Sequence, residues 1–237
     1  MNLGATGSLT NTGTAPVVRS VIRLYEIQAK LRRADKHLSE LKTEIAFARN
    51  FHSDGSVIKD YPDGRHQVAD LFDDVFPDIR AIIGGFANAL RSSLNYFVAQ
   101  LAKVDSGSPA NRSVQFPIED CPKLFKKHRT TYLKGISDEH VTLIERLQPY
   151  NGCDWMKTLQ LLSNIDKHRG LVAAVPVASS VANNASTPLV SEPRKVKMDI
   201  QITVDITFSD RTRVIETLEV IQLRVTDALD QFDALMK

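Results

Sequence analysis

From Leu24 onward an apolar residue returns at every seventh position, at Leu31, Leu38 and Ile45. A second set, Ile27, Ala34, Leu41 and Ala48, follows three places behind each of them. Four heptads of this kind describe an amphipathic helix with a narrow apolar seam, and they exclude a strand, whose side chains alternate with period two. The spacing predicts a helix over 17–50, about 50 Å long at a rise of about 1.5 Å per residue. Arg32, Arg33, Asp35, Lys36, Glu40, Lys42 and Glu44 fill the polar side. The seam must therefore be covered by other helices of the same chain or by a partner.

The rest of the chain gives that helix company. Asp54-Gly55 and Pro62-Asp63-Gly64 are turn chemistry, which predicts a hairpin or irregular loop over 51–67. Pro77 suits the first position of a second helix over 77–104, along which Ile79, Ile83, Phe86, Leu90, Leu94, Phe97 and Leu101 recur at spacings of three and four. Gly84-Gly85 inside it costs stability against Ala, for which close packing by another helix is the expected compensation. Phe116-Pro117-Ile118 reads as an extended anchor, 122–134 as a short basic helix, and Ser137 as the cap of a helix over 138–148. A helix over 155–168 and a last one over 215–236 complete the set.

Between these two the period changes. Val196, Met198, Ile200, Ile202, Val204, Ile206 and Phe208 alternate with polar residues, the signature of a strand with one buried face. Residues 171–177 are its expected partner and 212–214 a short third strand. The fold expected is mainly α: a bundle of about five helices with a small antiparallel sheet near the C-terminus. Residues 1–16, rich in Gly, Thr, Ser and Asn, read as a flexible tail, and 17–237 as a single domain with a β insertion at 171–214.

A formal charge of +2 over 237 residues implies neither a uniformly basic nor a uniformly acidic surface, and leaves room for local patches. No apolar run approaches the roughly 20 residues that span a bilayer, so no membrane partner is expected. Cys121 and Cys153 lack the paired spacing of a zinc site and read as reduced thiols of a cytoplasmic protein. There is no phosphate loop, dinucleotide glycine pattern, Gly-x-Ser-x-Gly or His-Glu-x-x-His, so no cofactor and no metal is expected.

Three polar segments stand out. Asn88, Arg91 and Asn95 share one side of the second helix, where an Arg can hold a phosphate or carboxylate through two hydrogen bonds, or pair with an acid of a neighbouring helix. Asn164-Ile165-Asp166-Lys167-His168-Arg169 closes another helix with cations favourable at a C-terminus, and His168 could move protons if a carboxylate orients it. Lys123, Lys126, Lys127, His128 and Arg129 form a basic stretch, either a solvated face or a phosphate footprint.

The run Ile82-Ile83-Gly84-Gly85-Phe86-Ala87-Asn88-Ala89-Leu90-Arg91-Ser92-Ser93-Leu94-Asn95-Tyr96 resembles a segment of a family of uncharacterised bacterial proteins. Phe116-Pro117-Ile118, Leu147-Gln148-Pro149-Tyr150 and Asn164 to Arg169 match that family's other islands in the same order, over about residues 75–170. The segment is similar in turn to the Arg-x4-His motif of HEPN domains, helical bundles, often dimeric, that include metal-independent ribonucleases, toxins and nucleotide-binding modules. Arg91 and Asn95 match that motif, but Tyr96 stands where it has His, and a phenol with a pKa near 10 is a poor base at neutral pH.

The resemblance implies a HEPN-like binding module, homodimeric, that holds RNA, a nucleotide or a protein partner without robust catalysis. Its ligand-binding set is Asn88, Arg91, Asn95, Tyr96, Asn164, Asp166, Lys167 and Arg169. The alternatives are a metal-independent ribonuclease using Arg91 and His168, and an oligomeric scaffold. Arg91 is expected to reach the 164–169 segment, at Asp166.

Overall fold

The computed structural model describes residues 24–50, 59–60, 66–67, 72–168, 174–183 and 200–235. The elements run α1 (Leu24–Asn50), β1 (Lys59–Asp60), β2 (His66–Gln67), α2 (Phe72–Ser106), α3 (Pro122–Tyr132), α4 (Asp138–Arg146), a 3-10 turn (Pro149–Asn151), α5 (Asp154–His168), β3 (Ala174–Asn183), β4 (Ile200–Phe208) and α6 (Val214–Leu235). The protein is mainly helical, with six α-helices among the described residues. α3, within the short basic helix expected over 122–134, is opened by Pro122 at its first position and held by one buried side chain, Phe125.

The seam of α1 is closed inside the chain. Ile27, Leu31, Ala34, Leu38, Leu41 and Ile45 are all buried, and they join one core with Ile79, Ile83, Phe86, Leu90, Leu94, Phe97 and Leu101 of α2. Burying a side chain of this size contributes about 1.5–3 kcal/mol each. The two helices run antiparallel: the His37 ring lies against Gly85, and the Lys30 ammonium sits 5.6 Å from the centre of the Tyr96 ring. A Cβ built on Gly85 would come within 2.9 Å of the His37 ring, so the glycine is what permits that approach. α6 also runs antiparallel to α1, joined by Lys42–Glu219 at 2.6 Å and by a Gln222–Asp35 hydrogen bond. Phe97 and Phe232 pack with ring centres 4.7 Å apart and planes inclined at 50° where α2 meets α6.

Two expectations are corrected. α2 begins at Phe72 and carries Pro77 within it rather than at its start. A proline so close to a helix N-terminus removes a single intrahelical hydrogen bond, which the apolar face that follows outweighs. The expected third strand at 212–214 reduces to one bridge, Thr207 to Arg213. A tight turn through Arg211 at φ 69°, with Thr212 O accepting from Phe208 N at 2.9 Å, delivers the chain straight into α6 at Val214. The 51–67 stretch is described only at the antiparallel pair β1–β2.

β3 and β4 pair antiparallel, from Ala174 opposite Phe208 to Asn183 opposite Ile200, with a register shift between Ala178 and Ser180. Ile206 and Phe208, at the bundle end of that ladder, are buried in the common core. Residues 171–173 and 196–199 of the expected strands lie outside the described residues, as do residues 1–23 with the expected tail.

Candidate functional site

The extended segment 116–119 crosses the bundle without strand partners, so its backbone polar groups need side chains. Four supply them. Arg91 Nη2 donates to Phe116 O at 2.6 Å, and Asn95 Oδ1, one turn along α2, accepts from Phe116 N at 2.9 Å. Gln148 Nε2 donates to Pro117 O at 3.1 Å and to Ile144 O at 3.0 Å, while its Oε1 accepts from Glu119 N at 2.9 Å. Gln160 of α5 donates to Ile118 O at 3.0 Å. Phe116, Pro117 and Ile118 are buried beneath this clamp.

Arg91 is the charged member. Its side chain is partly buried, and its Nη1 is closed to solvent with no acceptor among the described residues. Burial pulls its pKa down to about 10, against the opposing pull of Glu119, so it remains a cation at neutral pH. No carboxylate forms an ion pair with it among the described residues. Glu119 is bonded instead to His128, at 2.7 Å from Nδ1.

The other expected residues divide. Asn88 lies on the same stretch of α2, half-buried. Tyr96 does not join Arg91. It is five positions further, about 140° around a helix of 3.6 residues per turn, and its exposed ring faces Lys30 of α1. Asn164 is exposed on α5, which packs on α2. The side chains of Asp166, Lys167 and His168, and all of Arg169, lie outside the described residues, and with them the expected contact between Arg91 and Asp166. His168 is the last helical residue of α5.

The sequence places Gln148 within one of the matched islands without indicating a role, and nothing in it singles out Gln160, Glu119, Asp105 or His140. Gln148 alone carried a usable signal, a polar side chain between Leu147 and Pro149 in a segment rich in apolar residues. The remaining ones act over long separations. Asp105, near the end of α2, accepts from Ser137 N at 2.8 Å and faces His140 Nδ1 at 2.8 Å, which ties the start of α4 to α2. Ser137 Oγ and Asp105 both face the same ring nitrogen of His140, so the trio is a helix cap rather than a nucleophilic triad, in which Ser and Asp bond to opposite nitrogens.

Among the described residues no group of three or more His, Cys, Asp or Glu could hold a metal ion, and no helix is long and apolar enough to cross a membrane. No family model, no curated protein and no solved structure matches the chain.

Proposed function

We propose that the protein is a HEPN-like helical binding module for an anionic ligand, RNA or a nucleotide, gathered around Arg91, and that it does not cleave what it holds. The observation that carries this reading is the unmatched charge. Arg91 keeps one nitrogen without an acceptor and has no ion-pairing carboxylate among the described residues. A partly buried cation in that condition is stabilised by any anion that reaches it, and a guanidinium suits phosphate geometry. Catalysis lacks a proton carrier at position 96, because a phenol does not take a proton readily at neutral pH. In the same reading the module is cytoplasmic and works as a homodimer. The α1 seam and Gly85 are both occupied within the chain, so a second copy would dock elsewhere. Light scattering giving a mass near 26.4 kDa at micromolar concentration would remove the dimer.

A second reading has its own observation: the Arg91–Phe116 hydrogen bond makes Arg91 a clamp, and the protein a scaffold. Titration of nucleotides and short RNA at low salt separates the two. No binding at millimolar concentration leaves the scaffold. Incubation with mixed RNA in chelator tests turnover, and cleavage lost in both Arg91→Ala and His168→Ala would establish the ribonuclease instead.

A further inference from the structure

Glu119 bears on Arg91 without pairing with it. Its charge opposes the effect of burial on the guanidinium, yet its carboxylate is bonded to His128. Glu119 Oε1 lies 2.7 Å from His128 Nδ1, with the Glu119 side chain 12% exposed and that of His128 32% exposed. The carboxylate is thus shielded enough for its charge to be felt nearby, and the ring is open enough to exchange a proton with solvent. Main-chain hydrogen bonds hold the arrangement. Gln148 Oε1 accepts from Glu119 N at 2.9 Å, and Arg91 Nη2 donates to Phe116 O three residues earlier.

The other groups near the pair are engaged or neutral. The Tyr132 ring stands 5.3 Å from the His128 ring. Arg129, the next residue on α3, is on Asp138 at 2.7 Å, and Asp120 is on Lys157 at 3.4 Å. Lys127, on the other side of His128 in the chain, is exposed. Tyr150 of the 3-10 turn donates to Glu145 Oε1 of α4 at 2.8 Å. Burial, that hydrogen bond and the nearby Glu145, Cys121 and Glu119 push its phenol up, so it stays neutral where histidines titrate. His128 is therefore the group bonded to Glu119 whose side-chain type changes charge near neutral pH.

We infer that the Glu119–His128 pair sets how tightly Arg91 holds an anion, which binds weakly while His128 is neutral and more tightly once His128 is protonated. The inference rests on the reading of Arg91 as an anion site. Its direction is electrostatic. An uncompensated carboxylate close to Arg91 repels the incoming anion, and a proton on His128, 2.7 Å from that carboxylate, cancels the repulsion. His128 acts through Glu119 and does not touch the ligand, so it is a positioning residue.

The test is the affinity of the full chain for a cyclic mononucleotide at low salt, measured by calorimetry between about pH 5.5 and 8. The single phosphodiester charge of that probe does not change in this range, so any slope belongs to the protein. Wild type should bind about fivefold more tightly at the acid end, the size of one unit charge felt across a partly screened gap. His128→Asn keeps an amide able to donate to Glu119 but gains no proton, and should hold the wild-type alkaline affinity throughout. Glu119→Gln, a replacement of the same shape, should bind at the alkaline end as tightly as wild type does in acid. Circular dichroism checks that both variants fold, and Glu119→Gln decides alone if His128→Asn does not. A wild-type affinity that is flat with pH and abolished by Arg91→Met overturns the inference and leaves the Arg91 reading standing. A slope that survives in His128→Asn overturns it too, and so does a Glu119→Gln variant with no gain at the alkaline end. No binding by wild type at millimolar concentration, at either end, defeats the Arg91 reading and this inference with it.

Discussion

Gln148 has no exposed surface and makes three hydrogen bonds to main-chain groups, two of them to the segment that no strand supports. Replacing it by Leu keeps the volume and leaves Glu119 N and Pro117 O without partners, while Ile144 O keeps Leu147 N at 3.2 Å. Each such loss costs about 1–3 kcal/mol, so Gln148→Leu should lower unfolding free energy by about 2 kcal/mol or more in urea titration. Arg91→Met removes a desolvated cation and, with it, the donor to the buried Phe116 O, so it is expected to cost about 1–3 kcal/mol without ligand. The same variant should lose the rise in Tm that nucleotide confers on wild type. A fall beyond that range in that variant would favour the clamp alone. No pH dependence from Arg91 is expected between pH 6 and 9 (a window about one unit or more below its folded value), because its pKa, lowered to about 10, leaves it protonated throughout. The sign follows from the same shift: the fold releases this proton before the unfolded chain does. Its stability contribution therefore rises only above about pH 10, measurable as a shift of the urea midpoint.

At the scale of elements, the α1–α2 contact rests on Gly85 beneath His37. Gly85→Ala would add about 1 kcal/mol of helix propensity, yet its Cβ would meet the His37 ring at 2.9 Å. The net effect expected is a loss of about 1 kcal/mol, since overpacking costs about 1–3 kcal/mol. His37→Ala with Gly85→Ala should recover most of it relative to His37→Ala alone, and thermal melts of the four proteins of that cycle decide the point. α4 is fastened by its own start. Asp105→Ala removes the acceptor for Ser137 N and the partner of His140 together, and should cost about 1–2 kcal/mol, the range of a lost helix cap. Hydrogen exchange should then quicken in α4 before it does in α1 or α2.

For the whole molecule, the decisive fact is that α1, α2 and α6 share one core. Leu41 sits on the seam with no exposed surface. A charge placed there by Leu41→Asp should abolish cooperative unfolding of the single chain, seen as a missing sigmoidal transition by circular dichroism, instead of merely dissociating a pair of folded subunits. Had the seam been an intermolecular coiled coil, the variant would remain a folded monomer.

The helices were legible in the residue pattern because periodicity is a local property. A backbone of 3.6 residues per turn forces apolar side chains that face a core into spacings of three and four, so Leu31, Leu38, Ile83 and Leu90 announced buried stripes by position alone, and all four are buried. Ser137 could be read as a cap for the same reason, since its acceptor role involves only His140 N, three residues on. What the stripes pack against is not local. The same seam serves a coiled-coil partner or a neighbouring helix, and only the approach of α2 and α6 decided for the chain itself. Likewise Arg91 was visible as a polar side chain beside an apolar stripe, but its acceptor stands 25 residues away, and that of Gln160 stands 42 away. Hydrogen bonds over such separations exist because the bundle first brings the 116–119 segment across α2 and α5. The pattern of residues determined which faces are apolar; the tertiary structure decided which polar groups meet, because buried polar groups take whatever partner the packing leaves within reach.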